Sequence, residues 1–422
     1  MDRNDHTVFA SQWHDMPPPL YTANMSIVIL NWQGGENDPF TYFSTCIKQA
    51  FERMGRPTHI VNLDESMMSR LIELDNKGID FVIVWQGLGL QLGATDSDPT
   101  TIWDKLKIPV LSYHGDHPCH MPINHTALSP WVQHIYSVAS FAMFANAHIP
   151  RQSGATFFPV PMVYSNGVKG EFKGDFFVFP KNLDDLDATL AGWRGQPDRL
   201  VTRFLLEAAD AIIGEFRNGN RTSHHDIIDG MLNPEMMAAL CADLNSSELS
   251  MRFHIHTQLD KIHRNAVAEH VVNDLKDVPL KIYGRGWERF RSRRNPHHEF
   301  LQFDAMSDNA FQFASQYGII DAAPINDALH DRTVRAASNR AGFLIGSNWS
   351  YETFLGGDYG NLFFDGAAGE LRARAERVMQ SPEAHRAQCR DFARQYQHHF
   401  SLFSFIRYFE GISDTIKARA RA

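Results

Sequence analysis

From Met25 onward the chain alternates short β-branched or aromatic runs with longer amphipathic ones. Ser26 to Leu30 (SIVIL), His59 to Leu63, Phe81 to Trp85 (FVIVW) and Pro109 to Tyr113 have strand length and end in polar or glycine residues. Between them, Phe40 to Arg53 and Ser66 to Asn76 carry helical spacing. Strands alternating with helices pair in parallel through right-handed crossovers, which predicts an open, doubly wound α/β sheet. In such sheets ligands sit beyond the carboxyl ends of the strands. The loops Asn31 to Gly35, Gln86 to Gly89 and His114 to His120 are therefore expected to face one crevice.

A chain of 422 residues exceeds one ordinary core. The segment Phe157 to Phe172, with Pro159, Pro161 and Gly167, resists both helix and central strand and reads as a linker. A boundary near residue 165 divides the chain into an N-terminal extension (1–24), a first lobe (25–165), a second lobe (166–400) and a final helix (401–422). Phe176 to Phe179 opens the second lobe with another strand. Asp184 to Asp277, rich in Ala, Leu, Met and Glu, reads as helical. Strands follow at Leu280 to Tyr283, Gly318 to Ala322, Gly342 to Ile345 and Leu362 to Phe364. Helices are expected at Arg332 to Arg340, Ala368 to Met379, Pro382 to Phe400 and Phe405 to Ala418.

Composition narrows the classes. With 43% apolar and 21% charged residues and no low-complexity tract, the chain can bury a sizeable core. A net charge of -9 argues against a nucleic-acid binder, whose phosphate contacts need a basic face. No window reaches the 18 or more apolar residues of a membrane span, and the N-terminus has no continuous apolar stretch of signal-peptide type. Four scattered cysteines without a CxxC pair suit a reducing compartment. A cytoplasmic protein is the expectation.

Chemistry concentrates at the predicted strand exits. Gly284-Arg285-Gly286-Trp287 follows a strand, and glycines there either let the backbone approach a flat or phosphorylated ligand or simply form a turn. Further on, a strand ends at GIIDAA and His330-Asp331-Arg332-Thr333 stand where a helix begins. Asp331 is the expected N-cap and Gly342 the expected terminator. A helix start offers unpaired N–H donors and partial positive charge to a diphosphate, and Arg332 and Arg335 add guanidinium donors on the same face. An ordinary capped helix with exposed arginines is the alternative. Lys181, after Phe176 to Phe179, is placed to reach the same diphosphate or to stand exposed without function.

On the other lobe, Tyr113, His114, Asp116 and His117 crowd one strand end. A carboxylate or imidazole there can take a proton from an attacking hydroxyl, with Asp116 the first choice and His114 and His117 behind it. Asp116 equally fits a turn cap before Pro118. Trp32, Gln33 and Gly34 suit an acceptor-side loop in which an indole covers a sugar ring, although Trp32 also fits a core. His114, His117, Cys119, His120 and His125 invite a zinc reading, but their spacing matches no standard motif and the chain holds 21 histidines. No metal is expected. His254, His256 and His263 read as helix-surface or partly buried residues.

KIYGRGW, then LHDRTVRAASNRAGFLIGSNW, then FARQYQHHFSLFSFI resemble, in order and spacing, the spore-maturation-protein type of glycosyltransferase within the wider GT-B class. The resemblance covers about residues 280 to 400 and, more faintly, SYHGDHPCHMPINH in the first lobe. It implies two Rossmann-like lobes, a nucleotide-sugar donor held by the second and an acceptor by the first. No cofactor and no bound metal is implied. The acceptor is left open among glycan, lipid-linked, protein and small-molecule classes. Gly284, Arg285 and Gly286 would lie near the nucleobase or ribose, His330 to Thr333 near the diphosphate, and the last helix against the first lobe. Relatives place a Glu on the helix after that loop to grip the ribose, and Arg335 stands here instead. Either Asn339 takes the ribose, or the donor differs, or donor binding has decayed. The rivals are a non-catalytic nucleotide- or carbohydrate-binding protein and a sugar-nucleotide epimerase of the same architecture.

Overall fold

The computed structural model describes residues 25–32, 39–95, 97–126, 129–150, 153–163, 172, 174–219, 223–301, 315–323, 325, 327–346 and 359–421. Two six-stranded sheets organise them. The first holds β1 (Ser26–Asn31), β2 (Thr58–Asn62), β3 (Ile79–Trp85), β4 (Val110–His114), β5 (Val132–Tyr136) and β6 (Thr156–Phe157), in the order β2-β1-β3-β4-β5-β6. The second holds β7 (Phe177–Pro180), β8 (Leu280–Tyr283), β9 (His298–Leu301), β10 (Gly318–Asp321), β11 (Phe343–Gly346) and β12 (Phe363–Phe364), in the order β12-β11-β10-β7-β8-β9. Every named pairing is parallel. The expected architecture of two Rossmann-like lobes is what the chain adopts.

The strand orders decide where ligands can sit. Chain direction across the sheet reverses between β1 and β3 in the first lobe and between β7 and β10 in the second, opening a crevice at each reversal. The exits at those points are Asn31 and Gln86 on one side and Lys181 and Ala322 on the other.

Most strands matched their apolar runs because helices cover both faces, so nearly every side chain is buried. β5 escaped the sequence reading. Its residues VQHIY include two polar side chains, yet all five are buried. Gln133 donates to the Gly154 carbonyl and Nδ1 of His134 pairs with His114 at 3.0 Å, so each finds a partner inside the fold. The half-buried edge strand β9 (HEFL) lacked a recognisable run for the opposite reason.

The helical stretch expected at 184–277 is an insertion between β7 and β8. Its helices Leu186–Arg194, His224–Met231, Pro234–Leu244 and Glu248–Asp274 each start behind a side-chain cap, from Asp185, Ser223, Asn233 and Ser247 respectively. Each cap accepts the N–H three residues on and so satisfies one of the helix's orphan donors. Leu200–Arg217 completes a separate apolar cluster, while Val267 to Leu275 pack against the second sheet.

The final helix, Leu402–Arg421, lies on the first sheet, with the Phe405 and Phe409 rings 5.4 and 6.0 Å from Tyr113. A buried charge network fixes it there. Arg56, nearly inaccessible, stands 3.7 Å from Glu410 and pairs with Asp80, which also takes Lys417. Arg56→Ala takes from Glu410, only 4% exposed, a guanidinium 3.7 Å away, while Arg407 stands farther off at 3.9 Å. Breaking one side of a buried pair costs about 3 kcal/mol or more, so the urea midpoint of Arg56→Ala is expected to fall accordingly. No described helix is long and apolar enough to cross a membrane.

Candidate active site between the lobes

A cleft of about 350 Å³ separates the carboxyl ends of the two sheets. The first lobe contributes Phe40 and Phe43 from helix Pro39–Arg53, Gln86 from the β3 exit, Asp116 from the β4 exit and Ser137 from the β5 exit. The second lobe contributes Ile325, Leu329, His330, Asp331, Arg332 and Arg335. One wall is thus apolar with a single carboxylate, and the opposing wall is a helix start with two guanidinium groups.

Helix Asp331–Ser338 begins at the cleft. Its N-cap is His330, not Asp331 as expected: His330 has extended backbone and its carbonyl accepts the Val334 N–H at 3.2 Å. The N–H groups of Asp331, Arg332 and Thr333 therefore precede the helical ladder. Nδ1 of His330 lies 2.9 Å from the Asp331 carboxylate and 3.4 Å from the Arg332 amide. One nitrogen cannot donate to the first and accept from the second. The shorter contact takes the proton, so Nδ1–H donates to Asp331 at 2.9 Å and the Arg332 amide keeps only the long 3.4 Å approach; burial opposes charge on this imidazole, but the Asp321 and Asp331 carboxylates outweigh that effect and raise it. That assignment leaves the Arg332 amide open to a ligand. Gly342 does not end the helix either. Arg340 takes the left-handed turn (φ 60°), and Gly342 enters β11 where a Cβ would meet the Tyr317 carbonyl at 2.8 Å.

Four cationic groups converge here against two carboxylates. Arg332 has no ion pair or hydrogen bond through its side chain among the described residues. Arg335 is 1% exposed, faces the cleft and stands 3.7 Å from Asp331. Lys181 is buried rather than exposed, directly after β7. Burial pulls its ammonium down from 10.5 to about 7, helped by the charges of Arg264 and Arg332 and opposed by Asp321 and Asp260. Asp321 ends β10, accepts the Thr333 hydroxyl at 2.8 Å and lies 3.5 Å from His330. Although burial acts against its charge, His330, Arg332 and Thr333 hold its carboxyl well below the usual range. Asp331 is depressed in the same way, with His330, Arg335 and Arg332 overcoming burial. Thr333 is wholly buried with its hydroxyl committed to Asp321, so only its amide remains for a ligand.

On the facing wall, Asp116 accepts a hydrogen bond from Gln86 Nε2 at 3.0 Å through one carboxylate oxygen. The residue is exposed and lines the cleft. Its expected companions do not join it. His114 is buried within the sheet, bonded to Ser112 at 2.7 Å and His134 at 3.0 Å, and does not line the cleft. His117 is buried against the helical insertion, stacked on His225 at 4.3 Å. The strand ends at His114, and the bend at 115–116 carries Asp116 out to the cleft while the chain turns His117 back into the buried interior.

Other expected residues sit apart from the cleft lining. Gly284 and Gly286 (φ 154° and 82°) lie where a Cβ would strike the carbonyls of Lys181 and Leu183 at 2.1 and 1.7 Å. These glycines permit close packing of the β8 exit on the β7 exit, which Trp287 Nε1 seals by donating to Lys181 O at 2.7 Å. Arg285 is exposed beside them, its amide bonded to Asn182 at 3.0 Å. Trp32 is 55% exposed, so it is not core, while Gln33 and Gly34 lie outside the described residues. Asn339 caps the end of its helix, donating to the Arg335 carbonyl at 2.8 Å. Gln86 was missed as a residue although its loop was expected at the crevice. Its left-handed backbone (φ 51°) directly after a buried strand is a conformational signal that sequence does not carry.

No family model matches the chain, and no curated protein matches it in sequence. Among solved structures, sucrose-phosphate synthase from Thermosynechococcus elongatus covers 94% of this chain and 100% of its own at 9% identity, with a TM-score of 0.48. An alpha-glucosyltransferase in complex with UDP and a mismatched 13-mer DNA covers 92% and 100% at 11% identity, TM-score 0.47. The Anabaena protein HepE in complex with UDP and glucose covers 93% and 100% at 11% identity, TM-score 0.43. These are GT-B glycosyltransferases, and the likeness is one of overall architecture. At such identities and scores it carries nothing about what this chain binds or makes.

Proposed function

We propose that this protein is a glycosyltransferase, moving a sugar from a nucleoside-diphosphate donor to an acceptor hydroxyl in the interlobe cleft. The observation that carries the reading is the facing pair of walls: unladdered amides of Asp331 to Thr333 with Arg332 and Arg335 on one side, and the Asp116 carboxylate on the other. Anion binding at a helix start joined by two guanidinium groups suits a diphosphate. The same donors stabilise the charge that grows on it as the glycosidic bond breaks.

In the chemical step the acceptor oxygen attacks the anomeric carbon, and its proton passes to Asp116. The bond from that carbon to the diphosphate oxygen breaks, and its electron pair leaves with the diphosphate. Gln86 holds one Asp116 oxygen and so aims the other. With Arg332, Arg335 and Lys181 supplying the positive charge, added Mg²⁺ or Mn²⁺ is expected to leave the rate unchanged. The ribose and base would extend from the diphosphate toward Arg285 at the β8 exit. A hexose as the transferred sugar and the spore-maturation-protein subtype are the finer parts of this proposal.

A panel of nucleoside diphosphates in a thermal-shift assay, followed by donor turnover with sugar acceptors, tests it, because a ligand bound only by the native state raises apparent stability. Binding without turnover favours a non-catalytic binder, and a rearranged free nucleotide sugar as product favours an epimerase. No stabilisation by any nucleoside diphosphate removes the reading.

Lys181 gives the donor site a pH signature. Its ammonium, pulled to about 7, is neutral in the free protein above that pH and must regain a proton to pair with a diphosphate. Donor affinity is therefore expected to fall between pH 7 and 9, by up to about tenfold per pH unit. Calorimetric titration in buffers of different ionisation heat should show proton uptake that Lys181→Arg abolishes. In the ligand-free protein the sign reverses. The folded state holds fewer protons than the unfolded between about 7 and 10.5, so this group makes stability rise with pH across that window.

A further inference from the structure

Outside the cleft, the helical insertion meets the first lobe through a cluster of buried histidines. His117 comes from the β4 exit, His225 from helix His224–Met231 and His256 from helix Glu248–Asp274. They are 1%, 9% and 0% exposed, and one ligand-capable atom of each lies within 4.8 Å of the others. None lines the interlobe cleft. Nδ1 of His225 and Nδ1 of His256 are 3.1 Å apart, while Nε2 of His117 and Nε2 of His256 are buried without a hydrogen-bond partner. Apolar walls enclose them: Phe144 lies 4.4 Å from the His117 ring and 4.8 Å from the His256 ring, and Phe141 lies 5.0 Å from His117.

Three imidazoles with unpartnered nitrogens in an apolar box are unfavourable unless something satisfies them, because a buried polar group without a partner forfeits its hydration. We propose that His117, His225 and His256 bind one zinc ion, which pins the helical insertion to the loop that carries Asp116. An all-imidazole donor set selects borderline-soft transition ions over Mg²⁺ or Ca²⁺, which demand oxygen. Zinc–nitrogen bonds of about 2.0–2.1 Å place tetrahedral ligands about 3.4 Å apart, so the 3.1 Å pair is already spaced for an ion, while the His117 ring, stacked on His225 at 4.3 Å, has to tilt out of the stack and draw in by up to about 1.4 Å.

The surroundings supply the outer contacts such a site needs. With His256 coordinating through Nδ1, its Nε2–H stands 3.8 Å from the Asp229 carboxylate, beyond hydrogen-bond range, so a small side-chain shift has to close that gap to give the carboxylate–histidine arrangement that orients a metal ligand. His117 Nδ1 now accepts the Cys119 amide at 3.1 Å, so Nε2 carries the ring proton. Coordination through Nε2 moves that proton to Nδ1 and releases the Cys119 amide. The adjoining buried groups touch the cluster through His224, whose ring lies 3.9 Å from His225: His224 pairs with His263 at 3.0 Å, and Asp260 binds His120 at 3.0 Å and Arg264 at 2.6 Å. Asp260 is thereby satisfied by its own partners and stays out of the coordination shell. The site does not rest on the sugar-transfer reading.

The test uses the untagged full chain grown in zinc-supplemented medium and desalted before elemental analysis. About one zinc per chain is expected, together with a melting temperature that falls on chelation and recovers with Zn²⁺ but not Mg²⁺. Cobalt exchanged into the site should show the intense visible absorption of a tetrahedral ion. His256→Gln and His225→Gln are expected to lose the metal and the chelator response, whereas exposed His254→Gln keeps both. Should the two variants fail to fold, the native chain alone decides. Less than about a tenth of an equivalent of zinc with a melting temperature indifferent to chelator and Zn²⁺ overturns the proposal. Zinc retained at full stoichiometry by a folded His256→Gln overturns it too, by assigning the metal to surface histidines.

Discussion

Asp116→Asn is expected to slow sugar transfer by about 100-fold or more while leaving nucleoside-diphosphate binding unchanged, the range for losing a positioned general base. The substitution keeps the shape of the side chain, and its amide oxygen can still accept the Gln86 hydrogen bond that Asp116 receives at 3.0 Å. What disappears is the ability to take the acceptor's proton. Because Asp116 is exposed in the cleft and supports no buried contact, the melting temperature should hold, so a loss of turnover reports chemistry rather than folding. Single-turnover rates with saturating donor measure it. Transfer retained at the wild-type rate would mean that the base lies elsewhere or that the sugar leaves with its configuration kept, a course that needs no base at this position.

Arg332→Ala produces the complementary phenotype, with donor affinity falling by about 10- to 100-fold, equivalent to about 1.5–3 kcal/mol for a charge-assisted hydrogen bond. Arg332 lines the cleft and has no side-chain partner among the described residues, so its removal strands no buried charge. Stability should stay within about 0.5 kcal/mol of the parent, as for substitutions away from packed contacts. Arg335 is a poorer probe. It is 1% exposed and stands beside Asp331, so its loss mixes donor binding with the removal of one of that carboxylate's cationic neighbours. Isothermal titration with a nucleoside diphosphate separates the cases, and an unchanged dissociation constant for Arg332→Ala would remove that residue from the site.

The helix start at His330 shows how far residue types alone can lead. Strand, loop and helix were legible at 318–338 because GIID is a run of strand length and DRTVRAAS carries helical spacing. The cap was misplaced by one residue. Asp331 is the better capping residue in isolation, but His330 has the extended backbone of the cap, with its ring held between the Asp321 and Asp331 carboxylates. The loop GRGW was legible as either a turn or a ligand approach, and the sequence did not say what packs against its glycines. Their faces are filled by the Lys181 and Leu183 backbone, a neighbour about a hundred residues away in sequence.

Periodicity and turn chemistry by themselves determined the parallel α/β character of the first lobe, the helical character of the insertion and the crevice-facing loops that carry Gln86 and Asp116, because these follow from local preference and from which face must be buried. Only the tertiary structure decided that Lys181 is buried, that His114 and His117 turn away from Asp116, and that His117 meets His225 and His256. Those outcomes depend on strand order and on which distant segments share a wall. Burial and charge act through space, and a chain read along its length does not reveal which residues will be neighbours.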